Sequence, residues 1–312
     1  MIKNLLDLIV SHGDRGAVVP FIRINDLKRD MIDLKNGDFH TDWINRMVNH
    51  ITNETNKFMP ADLNFEPRSL ISIIRPSSKT MLHFNYNGKI IPCVVPPHYT
   101  DFYLNCDQVK QYIDDYLKPL GFSIKVTHTL PQKMLAVHCG LGLYGRNNIC
   151  YNNEFGSYMQ IMSYVSDLPC GESAWYLLKR MERCETCCAC VASCPTNAID
   201  PNRQLINSDR CITYKNESPG EFPEWIDINS HNSITGCTKC QDCCPANTHN
   251  KNKIKIGITF TEEETVEILN YKNNDSLSSK IEMTGLPPEC IKLLPRNLNA
   301  IIQKHIVNEV TT

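Results

Sequence analysis

The cysteine spacing between residues 184 and 245 limits what this chain can fold into more than any other feature of its sequence. The first run is Cys184, Cys187, Cys190 and Cys194, with Pro195 directly after the last of them. The second run is Cys237, Cys240 and Cys244, again followed by proline, and Cys211 lies between the two runs. Three thiolates spaced by two residues can bind one iron–sulfur cube from a tight loop, and a further Cys before Pro usually ligates a second cluster. The pattern is typical of a bacterial two-cluster ferredoxin domain.

The eight cysteines complete two reciprocal ligand sets, so the sequence predicts two [4Fe–4S] clusters. Cluster one is predicted to take Cys184, Cys187, Cys190 and Cys244. Cluster two is predicted to take Cys194, Cys211, Cys237 and Cys240. Structural zinc fits poorly, because one zinc ion takes only four nitrogen or sulfur ligands. Cys188 and Cys243 adjoin predicted ligands, which leaves open a shift of one residue, although the regular spacing argues against it.

Composition narrows the class of protein. The chain has 312 residues, enough for one large or two ordinary domains, and 42% of them are hydrophobic, enough for a sizeable core. Its net charge of −2 gives no general attraction to nucleic acid. The metal-ligand spacing of the cysteines favours a reducing cytoplasm over a disulfide-rich secreted chain. The apolar run 5–10 is too short to cross a bilayer, so we expect an amphipathic first helix and no membrane partner.

Predicted strands and helices alternate through the first half of the chain, which favours an α/β or α+β core. Strands are predicted at 70–75, 81–86, 90–95, 122–126 and 160–165, and Asn87 and Gly88 predict a hairpin. Helices are predicted at 104–117 and 132–139. Further on, Thr261 and Glu264 form a capping box that opens a helix, 273–279 is a predicted polar loop, and 293–306 a last helix. The mixed-charge segment 30–50 is interpreted as solvated surface rather than as a flap over a site.

A glycine-rich segment follows the predicted helix 132–139. Gly140, Gly142 and Gly145 match the spacing of a dinucleotide-binding fingerprint. That fingerprint should follow a strand, and here a helix is predicted before it, so we reject nucleotide binding. A purely structural turn and a close approach by another ligand remain the alternatives.

Several stretches together resemble the epoxyqueuosine reductase family, relatives of the cobalamin-dependent reductive dehalogenases. They are LAVHCGLGLYGRN at 135–147, EFGSY at 154–158, DLP at 167–169, the eight cysteines, and LPRN at 294–297. The resemblance implies an α+β fold with a nitroreductase-like cobalamin-binding α/β domain at 1–170. A ferredoxin-like domain with two [4Fe–4S] clusters would follow at 171–250, and a helical segment at 251–312 would pack back on the core.

The resemblance also implies that electrons pass from cluster to cluster to the cobalt of cobalamin, for a reductive elimination. It implies a cofactor-binding set of Gly140, Leu141, Gly142, Gly145, Arg146, Asn147, Ser157, His98 and Tyr99. Small residues would let a broad macrocycle approach the backbone, and Arg146 could pair with a propionamide or a phosphate. A surface turn is the alternative for His98 and Tyr99.

The chain departs from the family at the proton donor. The family carries an aspartate shortly before the glycine-rich loop, whereas residues 126–130 of this chain contain no carboxylate. His128 is a candidate acid because an imidazole titrates near neutrality. Tyr144 and Tyr158 are rival candidates, as phenols that could donate a proton. The family also has a further helical-repeat domain that helps hold tRNA; this sequence ends at Thr312, which weakens the expectation of tRNA.

The first functional hypothesis is a cytoplasmic cobalamin-dependent reductase that acts on epoxyqueuosine in tRNA or on a small molecule. Its electron donor would be of the flavodoxin or ferredoxin type. The alternative is an iron–sulfur electron-transfer protein without cobalamin that serves a partner enzyme. An iron–sulfur redox sensor ranks last, because nothing in the sequence resembles a DNA-reading helix.

Overall fold

The computed structural model describes residues 1–36, 62–202, 205–270 and 275–310. Most of the mixed-charge segment 30–50, interpreted above as solvated surface, lies outside the described residues. The helices are α1 Ile2–Ser11, α2 Ile24–Asn36, α3 Phe102–Leu117, α4 Gln132–His138, α5 Ala189–Ser193, α6 Ile212–Glu217, α7 Lys239–Asp242, α8 Glu262–Leu269, α9 Asp275–Glu282, α10 Pro288–Ile291 and α11 Leu294–Val310. The strands are β1 Arg15–Pro20, β2 Ser69–Pro76, β3 Lys79–Tyr86, β4 Lys89–Val95, β5 Ile124–Val126, β6 Leu143–Tyr144, β7 Cys150–Tyr151, β8 Met159–Ser166 and β9 Ile254–Phe260.

The chain divides into two compact units, and neither is continuous in sequence. The first unit comprises Met1–Pro76, Leu104–Cys187 and Asn202–Leu205. The second comprises Ser77–Tyr103, Cys188–Pro201 and Ile206–Thr312. This division differs from the predicted boundaries after residues 170 and 250, because β3 pairs with β9 on one edge and with β4 on the other, so both β3 and β4 belong to the second unit.

The first unit is built on an antiparallel sheet with the strand order β1-β2-β8-β5. Strand β2 is buried on both faces from Ser69 to Ile74, which explains its nearly continuous apolar sequence. Helices α2 and α4 cover one part of the sheet through a cluster that includes Leu27, Leu70 and Leu135. Helix α3 packs against β8, where the hydroxyl of Tyr164 donates to the Cys106 carbonyl at 2.8 Å.

The second unit is built on a three-stranded sheet with the order β4-β3-β9, in which β3 and β4 are antiparallel and β3 and β9 are parallel. Phe84 of β3 stacks on Phe260 of β9 at 4.7 Å between ring centroids. Helix α11 packs on the same core through Leu298, Ile301 and Ile302. The core thus fixes the orientation of α11, whose first turn is important below.

Several predicted elements are confirmed. The hairpin at Asn87 and Gly88, the helix at α3, and the capping box between Thr261 and Glu264 are all present, as is the α+β class. The predicted loop 273–279 is wrong in part, because the chain is helical from Asp275. Its serines had favoured a loop, yet Ile281 on this helix is buried in the core of the second unit. Among the described residues, no helix is long and apolar enough to cross a membrane.

Candidate functional site

The glycine-rich segment forms a β-hairpin. Strands β6 and β7 pair with Leu143 opposite Tyr151, and the Gly145 amide donates to the Ile149 carbonyl at 2.7 Å. Asn148 closes the turn with a φ of 59°, a conformation that Asn tolerates better than most residues. Because the glycines lead into a two-residue strand rather than a helix, the context that a dinucleotide fingerprint requires is missing.

The three glycines are needed for close packing of the hairpin against its own unit. A Cβ at Gly140 would lie 2.6 Å from the Tyr176 ring, and Gly140 also has a φ of +74°. A Cβ at Gly142 would lie 2.6 Å from Cys150 Sγ, and one at Gly145 would lie 2.6 Å from the Tyr151 ring. The side on which a Cβ would project is therefore filled by protein at each position.

Arg146 lies at the turn of the hairpin and is buried, with 6% of its surface exposed. Its guanidinium donates to the carbonyl oxygens of Cys184, of Cys187 at 3.2 Å and of Glu185 at 3.4 Å. The predicted pairing of Arg146 with a propionamide or phosphate finds no support in this geometry. The side chain instead holds the loop that carries the first two cluster cysteines.

A second link joins the hairpin to the same segment. The Tyr144 amide donates to the Lys179 carbonyl at 2.9 Å, and the Met181 amide donates to the Tyr144 carbonyl at 2.8 Å. These bonds extend β6 by a short parallel bridge, immediately before the turn that contains Cys184. The hairpin and the start of the cysteine motif therefore form one hydrogen-bonded structure within the first unit.

Other predicted cofactor residues are also buried. Asn147 donates to the Tyr151 hydroxyl at 2.8 Å, and the Leu141 carbonyl accepts from the Asn152 side chain at 2.8 Å. Ser157 is 1% exposed and lies two residues before β8. Asn147 and Leu141 thus have partners inside the hairpin itself.

The solvent side of the hairpin is apolar. Gly140 is exposed, and Leu143, Tyr176 and Leu177 are 37%, 55% and 76% exposed. The edge of Tyr176 lies against Gly140. These exposed apolar residues lie beside the predicted cofactor-binding residues of the hairpin.

The structure separates the predicted proton donors. Tyr144 is part of the hairpin, and burial, with Cys150 and Asp30 nearby, raises the pKa of its phenol, so the phenol is neutral at physiological pH. Tyr158 is 2% exposed and lies directly before β8. His128 lies on an exposed bend after β5. The Thr127 amide donates to the carbonyl of Ser163 in β8. Ser163 is five residues after Tyr158, which corresponds to about 17 Å along an extended chain. His128, next to Thr127, therefore does not lie beside Tyr158.

His98 and Tyr99 belong to the second unit, whereas the glycine-rich hairpin belongs to the first. The Tyr99 hydroxyl donates to the Glu217 carboxylate, and its ring leaves no room for a Cβ at Gly236, directly before Cys237. Burial, followed by the neighbouring Glu217 charge, raises the pKa of Tyr99. Tyr99 therefore lies beside a predicted ligand of cluster two.

Three of the four cysteines predicted for cluster two lie close together in the second unit. Burial raises the pKa of the Cys211 thiol, and Cys194 contributes to the rise. Burial also raises the pKa of Cys237 to about 11, with contributions from Cys211 and Cys194. Three thiols that interact in this way fit a common inorganic cluster, which would take them as thiolates.

Hydrogen-bond donors point at these sulfur atoms. The Ala198 amide lies 3.2 Å from Cys194 Sγ, and the Asn232 side-chain amide lies 3.1 Å from Cys237 Sγ. Backbone amides of Thr213 and Tyr214 lower the pKa of Cys211. Such donors stabilise thiolate sulfur and tune the potential of a cluster. In the described part of the chain, no three His, Cys, Asp or Glu side chains are placed to hold one metal ion. A [4Fe–4S] cluster binds each thiolate to a different iron atom, so its four cysteines stand further apart than the ligands of a single ion.

The cysteines predicted for cluster one are divided between the units. Cys184 and Cys187 end a segment of the first unit, and Cys190 and Cys244 belong to the second. Cys184 and Cys190 are buried, whereas Cys188 is exposed. The Cys243 thiol donates to the Cys240 carbonyl. The assignment of individual cysteines to clusters stays a prediction.

Two sets of residues near the clusters were not found by sequence reasoning. The role of Arg146 had no signal in the sequence beyond its place after Gly145. Arg296 and Asn297 belong to the LPRN stretch that carried the resemblance. Both side chains donate to the carbonyl of Asn216, a residue that no sequence pattern singled out. These contacts join segments far apart in the chain, which local patterns do not reveal.

Residues 183–247 match the family model described as a 4Fe-4S double cluster binding domain, and this segment contains all eight predicted ligands. An epoxyqueuosine reductase of Leadbetterella byssophila is 35% identical over 121 residues, which cover 37% of this chain and 37% of that protein. The match thus spans little more than a third of that relative's length.

Solved structures share the fold over nearly the whole chain. The epoxyqueuosine reductase of Streptococcus thermophilus superposes with a TM-score of 0.65 at 17% identity, over 98% of this chain and 81% of that one. An epoxyqueuosine reductase crystallised with an epoxyqueuosine-modified tRNA-Tyr stem loop gives a TM-score of 0.65 at 18% identity, over 97% and 81%. At these identities the likeness establishes the fold.

Proposed function

Because this chain is a relative of the epoxyqueuosine reductases, we propose that it is an iron–sulfur- and cobalamin-dependent reductase. The observation that carries the proposal is the bonding of the glycine-rich hairpin, through Arg146, to the loop of Cys184 and Cys187. A cofactor on the hairpin would be next to the first two ligands of cluster one. Electron transfer needs that proximity.

The hairpin offers a surface that fits a corrin. Gly140, Leu143 and Tyr176 would face the ring, because they are the exposed and largely apolar residues of this region. When bound, cobalamin would supply a low-potential cobalt centre for reductive chemistry. Arg146 and Asn147 would support the hairpin from inside rather than touch the ring.

The protein's own contribution to the reaction would include a proton. Removal of an epoxide oxygen as water takes two electrons and two protons. Tyr144 is our preferred donor, since its neutral phenol is part of the hairpin and its backbone is held on both sides. Tyr158 and His128 remain rival donors for which the structure gives no added support.

We propose epoxyqueuosine in tRNA as the substrate, with a small molecule as the alternative. The tRNA proposal is supported by the relative that was crystallised with a modified tRNA stem loop. The electron donor would be a flavodoxin or a ferredoxin. Electrons would enter through the cluster domain at 183–247.

Anaerobic reconstitution with iron, sulfide and cobalamin tests the proposal. We expect corrin absorption bands at one cobalamin per chain and turnover of epoxyqueuosine-containing tRNA stem loops with reduced flavodoxin. Corrin binding without turnover of tRNA would move the substrate to a small molecule. A protein that assembles its iron–sulfur clusters but binds no corrin would contradict the proposal of a cobalamin-dependent reductase.

An electron-transfer protein without cobalamin is the second candidate. It is favoured by the commitment of Arg146, Asn147 and Leu141 to partners within the protein. A matched pair of variants tests the first proposal: Leu143→Glu, at an exposed apolar position of the hairpin, should weaken corrin binding, whereas Leu120→Glu, exposed in the same unit, should not.

A further inference from the structure

The first turn of α11 makes a dense set of hydrogen bonds to the segments around cluster two. The Arg296 guanidinium donates to the carbonyl oxygens of Ser218 at 2.7 Å, of Lys215 at 2.9 Å and of Asn216 at 3.2 Å, and also to that of Gly220. These carbonyls lie at and just after the C-terminal end of helix α6, and α6 starts directly after Cys211. A cation at a helix C-terminus satisfies carbonyls that have no partner inside the helix.

Asn297 extends these contacts to the other cluster loop. Its side-chain amide donates to the Asn216 carbonyl at 3.0 Å and to the Ile234 carbonyl at 2.9 Å. Its side-chain oxygen accepts from Arg296 Nε at 3.1 Å. Asn297 is 2% exposed, so its two donors would be costly to leave without acceptors.

Asn216 closes the connection. This residue is 1% exposed, and its side-chain amide donates to the Gly236 carbonyl at 2.7 Å, with a longer contact to Ser233 at 3.4 Å. Gly236 directly precedes Cys237. Asn216 therefore ties the helix that follows Cys211 to the residue before Cys237.

We propose that Asn216, Arg296 and Asn297, here called the α11 network, are positioning residues that set the separation of the Cys211 and Cys237 ligands of cluster two. The network fixes the backbone on the far side of each ligand, and α11 is itself anchored in the core by Leu298 and Ile302. Side chains that orient ligands from outside affect the affinity and the potential of a metal site. This role rests on the double-cluster domain alone and not on cobalamin or the substrate.

The test compares Asn297→Asp with Asn299→Asp. The first change removes both donors at a buried site, and the second makes the same chemical change at an exposed position two residues further along the same helix. The holoprotein is prepared without oxygen. Iron and sulfide per chain are measured, and the midpoint potentials of both clusters are followed by electron paramagnetic resonance.

We expect Asn297→Asp to lose or shift the signal of one cluster and leave the other unchanged, with Asn299→Asp like the wild type. The altered signal should be the one that Cys211→Ala abolishes. If Asn297→Asp does not fold, Arg296→Lys gives the decision, because a lysine cannot serve all the carbonyls and should alter the same signal. Equal changes in both clusters, no change in either, or a change in the signal that survives in Cys211→Ala would overturn the proposal.

Discussion

The imidazole Nε2 of His138 lies 2.8 Å from Oδ2 of Asp30, in a site where only 5% of the His138 side chain is exposed. The other ring nitrogen, Nδ1, lies 2.6 Å from the Tyr176 carbonyl. His138 therefore joins helix α2, which carries Asp30, to the segment that carries Tyr176, through contacts of both ring nitrogens.

His138→Ala should destabilise the protein by about 1–3 kcal/mol, because it removes the ring whose two nitrogens contact the Asp30 carboxylate and the Tyr176 carbonyl. His138 also stacks on Trp175, at 4.3 Å between ring centroids. The control is His12→Ala, since the exposed His12 stacks on Tyr112 at 4.0 Å. Urea unfolding without oxygen measures both. A loss as small for His138 as for His12 would show that the hydrogen bonds contribute nothing.

Arg146→Lys should weaken the first cluster loop. A lysine cannot reach the carbonyls of Cys184, Glu185 and Cys187 together, and each bond to a charged donor is worth about 1.5–3 kcal/mol. We expect faster loss of iron from one cluster in the presence of a chelator. Arg183→Lys, exposed in the same loop, is the control. Iron release at the wild-type rate in both variants would contradict the role of Arg146.

The stability of the protein should fall as the pH decreases from 7.5 to 5.5, in part through His231. Burial lowers its pKa to about 4, and Lys304 and Arg296 contribute. Because the unfolded state has the higher pKa of about 6.5, it binds the proton first, and stability falls as the pH passes below that value and levels off near pH 4. Between pH 7.5 and pH 5.5, the free energy of unfolding should fall by about 1 kcal/mol through His231.

His231→Gln should flatten that dependence. The carbonyl of residue 231, which accepts from Lys304 at 2.5 Å, remains in this variant. The difference in unfolding free energy between wild type and variant, measured at each pH, isolates His231 from the other histidines. A difference that does not change with pH would contradict the prediction.

Asp14→Asn should destabilise the first unit by about 3–5 kcal/mol. Asp14 is 1% exposed, and its two oxygens accept from Arg75 at 2.9 Å each, so its loss leaves a largely buried guanidinium without its carboxylate. Glu154→Gln removes a pair of the same form with Arg15 at an exposed site and should cost less than about 1 kcal/mol. Thermal unfolding compares the two, and equal losses would rule out burial as the cause.

Sequence reasoning found what local spacing determines. The cysteine motif, the hairpin at Asn87 and Gly88 and the capping box at Thr261 each depend on residues within a few positions of one another. It did not find the buried partners of Arg146 or Asn216, because a side chain's tertiary acceptors leave no periodic trace. It also placed residues 77–103 with the first half of the chain, since the pairing of β3 with β9 spans most of the sequence.

The parallel pairing of β3 with β9 has a consequence for biosynthesis. Lys79 of β3 is opposite Ile254 of β9. Because translation proceeds at roughly 5–20 residues per second, β9 is synthesised on the order of ten seconds or more after β3. During that interval the β3–β4 ribbon has an unprotected edge that can pair with other nascent chains. A truncated clone of residues 171–250 would lack β3, β4, β9 and α11, and we expect it to be recovered as an aggregate rather than as a miniature ferredoxin.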